Sequence, residues 1–341
     1  PSHGGAGAGR GGRPDGGRRT GGAKKEKTFE VEFKSRNLQY LFQVEYLDKA
    51  ISQYRQNNKQ KEDDPGLGAL MNEKLLAAGN NQSMWAEIRL ALQRRRDTLR
   101  RLPGFCEKSM RVLYPGLLIG TGYPHMTKQV TGEIQLGFSF DTVTGAPCYP
   151  GSSVKGVVHQ IFTAAAASSE EKDPDKKAKA ESCRAYLLEL LREVGGPAWK
   201  DVSALTSKDV ENFAQLSFGD VIEPAKAKHA PAPLARDIFY DACIVGGGGS
   251  SKVFGLDNIA PHTDEKALPA PTKDPVPVTF LRILPGAEIT FPMVLHDAPL
   301  GEVNVSAGVK KELYARILQD FGIGAKTNVG YGALEPLSEK A

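Results

Sequence analysis

The stretch GIGAKTNVGYG, residues Gly322–Gly332, says most about the fold of this 341-residue chain. Four of its eleven residues are glycines, which reach positive φ values and let the backbone come close to a ligand. Lys326 and Thr327 add a cation and a hydroxyl, two groups that bind phosphate. The stretch therefore predicts a loop that binds phosphate groups.

The residues before the stretch predict that it follows a helix. Ser306 is a suitable N-cap, and Gly322 suits the position just past the helix end. Between them apolar residues recur at helical spacing, at Val309, Leu313, Ile317 and Phe321. Because the dipole at a helix C-terminus does not attract anions, we expect Lys326 and backbone amides to bind the phosphate.

The lysine and threonine are also typical of a nucleotide-binding P-loop, but two features exclude that motif. A P-loop has glycine directly before its lysine and again five residues earlier, whereas this chain has Ala325 and Asp320 there. A P-loop also follows a strand and opens a helix. A stand-alone nucleotide-dependent switch is therefore not supported.

The glycine-rich stretch resembles the signature loop of the RAMP superfamily, the repeat-associated RNA-binding proteins of CRISPR systems. It matches the pattern G-h-G-x-K/R-x-x-x-G-h-G residue for residue, where h is apolar. PGSSVKGVV at residues 150–158 resembles the P-G-S-S-h-K-G-h-h motif of Cas7-like members. GTGYPH at residues 120–125 and the segments 237–242 and 257–262 resemble the sixth-subunit family of the type III-B effector, the Cmr complex. The resemblance covers roughly residues 110–331.

This resemblance implies an α+β fold, a ferredoxin-like (RRM-like) Cas7/RAMP core with a helical N-terminal region. Long inserted loops or a β-hairpin thumb lying across the guide RNA are also implied. The implied function is a non-catalytic guide-RNA-binding backbone subunit of a type III-B CRISPR effector, which targets RNA in antiviral defence. The subunit would contact phosphates near the 3′ end of the guide RNA. Its partners would be guide RNA, target RNA and neighbouring Cmr backbone subunits.

We expect RNA contacts in three groups of residues. The loop contributes Gly322, Gly324, Lys326, Thr327, Asn328, Gly330, Tyr331 and Gly332. A predicted helix start contributes Gly151, Ser152, Ser153 and Lys155, because free amides, hydroxyls and the positive helix end converge there, with the lysine one turn further on. Ordinary N-capping explains this position equally well, and the resemblance favours RNA binding. The third group is Tyr123, His125 and Lys128.

The third group also fits an alternative function, a metal-independent endoribonuclease that processes precursor guide RNA. A histidine transfers protons near neutral pH, and a lysine stabilises the charged intermediate. A single histidine in a Gly/Pro-rich loop is more often a packing or hydrogen-bonding residue. The resembled subunit does not cut RNA, so we do not expect an enzyme. Cleavage by the purified chain in the presence of a chelator distinguishes the two functions.

The sequence predicts no metal site and no cofactor. Asp237 and Asp241 share one face of a predicted strand, but no further acidic ligands surround them, as two-metal chemistry requires. The histidines lack metal-ligand spacing. The four cysteines are far apart, which predicts reduced thiols. Since the basic N-terminus is followed by no apolar core, we expect no secretory signal and a cytoplasmic protein.

Composition and charge predict three regions. Residues 1–27 are a Gly/Arg-rich tail that carries a net charge of +5 and is expected to be disordered when free. Residues 28–109 are expected to be mainly helical, and residues 110–341 to form the RAMP domain. The net charge of the whole chain is only +4, so RNA affinity must come from local patches.

The predicted elements follow apolar periodicity. Helices are expected to begin at Leu38, with a stripe through Leu41, Val44, Leu47, Ile51 and Tyr54, and at residues 83–102, 152–167 and 182–194. Strands are expected at residues 134–140, 216–222, 238–245, 278–284 and 288–295. Insertions are expected near 164–180, 225–235 and 246–277, with a charged loop at 168–179.

The helix at residues 83–102 has an unusually basic side. Six arginines lie between Arg89 and Arg101, against Asp97 alone. Such a charge run is usually a solvated face. Contact with RNA or with an acidic neighbouring subunit stays open as the alternative.

Overall fold

The computed structural model describes residues 31–52, 66–120, 134, 138–167, 173–219, 237–247, 252–259 and 278–337. Within these ranges the chain is a mixed helix and sheet protein, as the α+β prediction required. The tail at 1–27 and the insertion at 225–235 lie outside the described residues. So do Tyr123, His125 and Lys128.

The N-terminal part is helical. A short α-helix at Leu38–Tyr40 continues as a π-helix at Leu41–Glu45, and α1 (Gly66–Gly79) and α2 (Gln82–Leu99) follow. The predicted apolar stripe is wrong at Val44, because the wider π turn rotates the buried face. Leu47 and Ile51 are half-buried, and Tyr54 lies outside the described residues. Val44 is exposed, while the side chains buried instead are Phe42, Tyr46 and Ala50.

One antiparallel sheet forms the centre of the fold. Its strands are β1 (Phe105–Val112), β2 (Cys148–Tyr149), β3 (Ile238–Phe239), β4 (Ala242–Gly247), β7 (Ala287–Val294) and β10 (Leu334–Pro336). The strand order is β10-β1-β7-β4-β2, and β3 also pairs with β7. Two-residue β3 and its break before β4 show that the predicted strand 238–245 is interrupted at Tyr240 and Asp241.

Helices cover both faces of this sheet. The further helices are α3 (Gly151–Ala165), α4 (Pro174–Val194), α5 (Ser207–Phe218) and α6 (Ala307–Phe321). Glu107 of β1 pairs with arginines of α2, whereas the next residue, Lys108, pairs with Glu312 of α6. Because successive strand residues point to opposite faces, α2 and α6 lie on opposite sides of the sheet. The α6 side also carries α3, which packs against α4, α5 and α6.

A second antiparallel pair lies beside the main sheet. β5 (Phe254–Ile259) pairs with β6 (Val278–Ile283) along its whole length, while the residues between these strands lie outside the described chain. The backbone of Leu117 joins this pair through two hydrogen bonds to Ile283, of 3.0 and 2.9 Å. The predicted insertion 246–277 therefore contains a regular strand. A small pair, β8 (Ala298–Leu300) and β9 (Val303–Val305), precedes α6.

The described end of the predicted strand 134–140 forms only an isolated bridge from Phe140 to Pro147. Two other predicted elements are wrong, and helix signals explain both. Residues 216–218 end helix α5 instead of opening a strand, because Thr206 and Asp209 form a capping box and the buried residues recur at helical spacing. The predicted charged loop is helical from Pro174, since Asp173 caps α4 and proline suits its first position. The strands predicted at 278–284 and 288–295 are confirmed.

A buried ion pair joins α6 to the start of β3. The Lys310 ammonium lies 2.8 Å from Asp237 Oδ2 and 2.8 Å from the Ser217 hydroxyl, and the Tyr314 hydroxyl donates to the same Asp237 oxygen at 3.0 Å. Asp237 Oδ1 accepts the backbone N–H of His296 at 3.0 Å. Both charged side chains are fully enclosed. Asp237 therefore has a structural role.

Two further features concern membrane-spanning helices and the cysteines. No described helix is long and apolar enough to cross a bilayer. The four cysteines are free thiols, as predicted. Burial raises the pKa of the Cys106 thiol to about 11, which leaves it protonated and unreactive at neutral pH.

Candidate nucleic-acid interface

The glycine-rich loop leaves the C-terminus of α6, as its sequence predicted. Ser306 caps the helix by accepting the N–H of Val309, and Gly322 ends it with a φ of 68°. Phe321 is exposed, so the buried stripe of α6 ends at Leu318. Gly322 donates its N–H to the Leu318 carbonyl at 3.0 Å, which fixes the direction in which the loop starts.

Close backbone packing holds the loop in one conformation. The N–H of Ile323 donates to the Gly332 carbonyl at 3.0 Å, and the N–H of Ala325 donates to the Leu118 carbonyl at 2.9 Å. A Cβ atom at Gly324 would lie 2.2 Å from the Leu118 oxygen, and one at Gly332 would lie 1.8 Å from the Ile323 oxygen. Both glycines have positive φ, so no other residue type fits there without rearrangement.

Lys326 has the backbone geometry expected at an anion-binding turn. Its φ of 60° and ψ of 34° are left-handed, and it is the only described non-glycine residue with positive φ. Such a conformation costs about 1 kcal/mol or more. A right-handed turn at Thr327–Val329 follows, and a left-to-right change of this kind points successive N–H groups at one spot.

The hydrogen-bond donors of this turn have no acceptor within the described chain. None of the described residues accepts the N–H groups of Lys326, Thr327 or Asn328, or pairs with the Lys326 ammonium. Thr327 and Asn328 are exposed, while Lys326 is half-buried. Three amides, one ammonium and one hydroxyl of this turn therefore have no partner among the described residues.

The far end of the loop is tied to the β5–β6 pair. The Tyr331 hydroxyl donates to Asp257 Oδ2 at 2.6 Å, and Arg282 Nη1 lies 2.9 Å from the same oxygen. Burial and then the Asp257 carboxylate raise the pKa of Tyr331 to about 12. Burial acts to raise the pKa of Asp257, but hydrogen bonds from Tyr331 and the Asn258 amide, together with Arg282, lower it. The carboxylate therefore stays ionised and the link holds at neutral pH.

Tyr149 of β2 brings two of the predicted site groups together. The Gly324 backbone in the loop and the Ser153 side chain in α3 both act to lower the pKa of its hydroxyl, so the hydroxyl lies near both groups. Burial nevertheless raises the pKa of Tyr149, so the hydroxyl keeps its proton. Sequence reasoning missed this tyrosine, although it directly precedes the Pro150–Gly151 motif.

The start of α3 differs from its predicted geometry. The helix begins at Gly151, whose N–H donates to Asp241 Oδ1 at 2.8 Å, so a carboxylate of the chain already occupies that amide. The Lys155 ammonium donates to the Phe218 carbonyl at 2.6 Å and caps α5. The Lys155 ammonium is thus engaged at the end of α5, and its contact with RNA stays a prediction. Ser152 is exposed and Ser153 half-buried.

Of the segment that contains the third predicted group, the structure describes only the first residue, Gly120. Gly120 packs against the loop, since a Cβ built on it would lie 2.9 Å from Ala325 Cβ. The residues that follow, including Tyr123, His125 and Lys128, lie outside the described chain. Their contribution stays a prediction.

Half of the arginines on the basic side of α2 form ion pairs within the protein. Arg95 lies 2.6 Å from Asp141, and Glu107 accepts both Arg96 at 3.0 Å and Arg100 at 3.1 Å. Half of the six arginines therefore fix α2 to the sheet. This arrangement favours a structural role for that part of the helix.

Metal binding finds no support among the described residues, where no three His, Cys, Asp or Glu side chains cluster. Asp237 precedes β3 and Asp241 lies in the break between β3 and β4, so they do not share one strand. Asp237 binds Lys310, and Asp241 accepts the N–H of Gly151 at the start of α3. The prediction that they lie on one strand face is wrong.

The chain is similar in sequence to a protein superfamily and to one of its characterised members. A sequence model described as "RAMPs: RAMP superfamily" matches residues 109–335. The chain is 27% identical over 205 residues to "CRISPR system Cmr subunit Cmr6" of Pyrococcus furiosus, over 56% of this chain and 58% of that relative. The match thus spans less than two thirds of the relative's own length.

Two solved structures are also similar. One is a cryo-EM structure of the type III-B Cmr-beta complex bound to cognate target RNA, with a TM-score of 0.45 and 17% identity, covering 90% of this chain and 78% of that one. The other is the crystal structure of Cmr6 from Pyrococcus furiosus, with a TM-score of 0.39 and 18% identity, covering 68% and 97%. Because the matched superfamily model spans well over half of the chain, this protein belongs to the RAMP superfamily, as a Cas7-like member similar to Cmr6.

Proposed function

We propose that this chain is a non-catalytic, guide-RNA-binding backbone subunit of a type III-B CRISPR effector complex. The similarity to a Cmr6 subunit supports the type of complex. The proposal places the chain near the 3′ end of the guide RNA, packed on neighbouring backbone subunits.

The geometry of Lys326 carries the proposal. A left-handed lysine is costly, and the described chain offers no acceptor to the amides of residues 326–328 and no partner to the Lys326 ammonium. A left-to-right turn of this kind directs successive amides toward one place. A phosphodiester satisfies all of these groups, because it is an anion with several acceptor oxygens. Each phosphate along an RNA strand is alike, so this loop binds RNA without reading its sequence.

We assign the ferredoxin-like core to β1, α3, β4, β7, α6 and β10. Their chain order is strand–helix–strand–strand–helix–strand, and their sheet order places β1 and β7 in the centre, which supports this assignment. We further propose that β5 and β6 are the base of the thumb hairpin. The link from Tyr331 to Asp257 would then fix the thumb relative to the phosphate loop. The proposed division into a helical N-terminal region and a RAMP domain then falls at Phe105 and not between residues 109 and 110, because β1 belongs to this core.

The proposed RNA path runs from the loop toward the start of α3. The hydroxyl of Tyr149 lies near both Gly324 and Ser153, which supports a path from the loop to Ser152 and Ser153. Lys155 remains a proposed contact beside them, and its ammonium also donates to the Phe218 carbonyl. Tyr123, His125 and Lys128 remain proposed contacts on the basis of the segment that begins beside Ala325.

Lys326→Gly tests the phosphate contact directly. Glycine adopts the same positive φ without strain, so the loop keeps its shape and loses only the ammonium. We expect weaker binding to single-stranded RNA of every sequence, with the slope of log affinity against log salt reduced by about one. Fluorescence anisotropy over a salt series measures both quantities.

Lys177→Ala is the matched control, since it removes an exposed lysine from α4. It should leave the salt slope close to that of the unmodified protein. A sequence-selective loss of affinity with an unchanged slope in Lys326→Gly would contradict the phosphate role.

The absence of catalysis is part of the proposal and has its own test. The purified chain should leave repeat-containing RNA intact in the presence of a chelator. Metal-independent cutting that His125→Ala abolishes would replace this proposal with the processing endoribonuclease. Loss of a general acid or base lowers the rate about 10²–10⁴-fold, so the distinction is easily measured.

A further inference from the structure

The turn after β1 exposes a large aromatic side chain beside the glycine-rich loop. Tyr114 is 82% exposed, although buried residues flank it on both sides, at Val112 and Leu117. We propose that Tyr114 is a stacking platform for an unpaired base of the RNA strand whose phosphate the loop binds. This inference rests on the proposed function and adds a base-binding subsite to it.

The backbone of this turn is held in place from two sides. Leu113 donates its N–H to the Ala333 carbonyl at 2.9 Å, and the Gly116 carbonyl accepts the N–H of Gly332 at 2.8 Å. On the other side Arg282 donates to the Pro115 carbonyl at 2.7 Å. The backbone of the turn is thus fixed between the loop and the β5–β6 pair, while the tyrosine side chain extends into solvent.

The neighbourhood of Tyr114 fits a nucleic acid. A Cβ atom at Gly330 would lie 3.5 Å from Pro115 Cδ, so the turn and the end of the Lys326 turn are in contact. Val329, one residue earlier, is 63% exposed and adds a second apolar side chain at this place. An exposed ring on a turn that contacts the Lys326 turn, whose amides and ammonium have no partner among the described residues, matches the two parts of a nucleotide, an aromatic base and an anionic phosphate.

A base is a better occupant of this place than a protein surface. A protein partner would have to leave the three amides and the ammonium of the Lys326 turn without an acceptor, or supply a carboxylate to them. Single-stranded RNA supplies the phosphate and the base from one covalent unit. Because every base has an aromatic face, we expect Tyr114 to bind with little preference among bases.

The test compares Tyr114→Ala, Tyr114→Phe and Lys326→Gly in the full chain. The RNA probes are a single-stranded uridine oligonucleotide and the same backbone with abasic sites. Tyr114→Ala should weaken binding to the uridine oligonucleotide about tenfold, the effect typical of one lost stacking contact. Its salt slope should not change, because the ring neutralises no phosphate. Tyr114→Phe should bind as the unmodified protein does.

The abasic probe identifies the base as the ligand. On it, Tyr114→Ala and the unmodified protein should bind equally, whereas an equal loss on both probes would overturn the proposal. An unchanged affinity of Tyr114→Ala for the uridine oligonucleotide would also overturn it. If such a variant bound other subunits less well, Tyr114 would be a protein contact and not a base-binding residue. Failure of the proposed function is seen separately, as a Lys326→Gly variant with unchanged affinity and salt slope. Thermal unfolding should be unaffected, since the side chain is exposed.

Discussion

Gly324→Val is expected to abolish RNA binding by the glycine-rich loop. A Cβ atom at this position would lie 2.2 Å from the Leu118 carbonyl oxygen and 2.9 Å from Leu117 Cδ1, and the first of these neighbours is backbone. The φ of 84° is in addition unfavourable for a β-branched residue. The loop must therefore leave its place against Leu118, which also breaks the hydrogen bond from Ala325. We expect a loss of about 3 kcal/mol or more in the free energy of unfolding, or a protein that no longer assembles.

Gly156→Ala is the control for this prediction. It lies in α3, where nothing approaches within 4 Å of a Cβ atom. Alanine at such a helical position should stabilise the protein by about 0.5–1 kcal/mol and leave RNA affinity unchanged. If Gly324→Val bound RNA as well as the unmodified protein in the assembled complex, the loop would be a connector without a binding role.

Asp237→Asn is expected to destabilise the whole fold. The substitution leaves the Lys310 ammonium buried at 0% exposure without its carboxylate, and a broken buried pair typically costs about 3–5 kcal/mol. Chemical denaturation of the variant should therefore show a large fall in the free energy of unfolding. Asp237→Asn combined with Lys310→Met should recover part of the loss, because it removes the uncompensated charge.

An exposed pair provides the comparison. Lys208 lies 3.0 Å from Glu211 on α5, and its side chain is 69% exposed, so Lys208→Ala should change stability by at most a few tenths of a kcal/mol. A loss below about 1 kcal/mol in Asp237→Asn would show that water or a rearranged side chain compensates Lys310.

The elements that were predictable carry local signals. Ser306 and Gly322 delimit α6 by capping chemistry. Capping signals were also present where prediction failed, at Thr206 for α5 and at Asp173 for α4, but β-prone residues at 216–218 and the dense charge at 168–179 concealed them.

The interactions that were not predictable join distant parts of the chain. The partnership of Asp237 with Lys310 spans more than seventy residues, and nothing local announces it. Tyr149 lies near both Gly324 and Ser153 because the fold places β2 beside them. Lys155 reaches the Phe218 carbonyl at the end of α5, which is 63 residues away in the chain.

The RNA contact of the loop can be located directly by crosslinking. The complex purified from its native host with bound RNA would be irradiated with ultraviolet light and digested, and peptides carrying nucleotides would be identified by mass spectrometry. The account predicts RNA adducts on the peptide that contains Lys326 and Tyr331, and their loss in Gly324→Val complexes that still assemble. RNA adducts found only elsewhere in the chain, with the Lys326 peptide recovered unmodified, would contradict it.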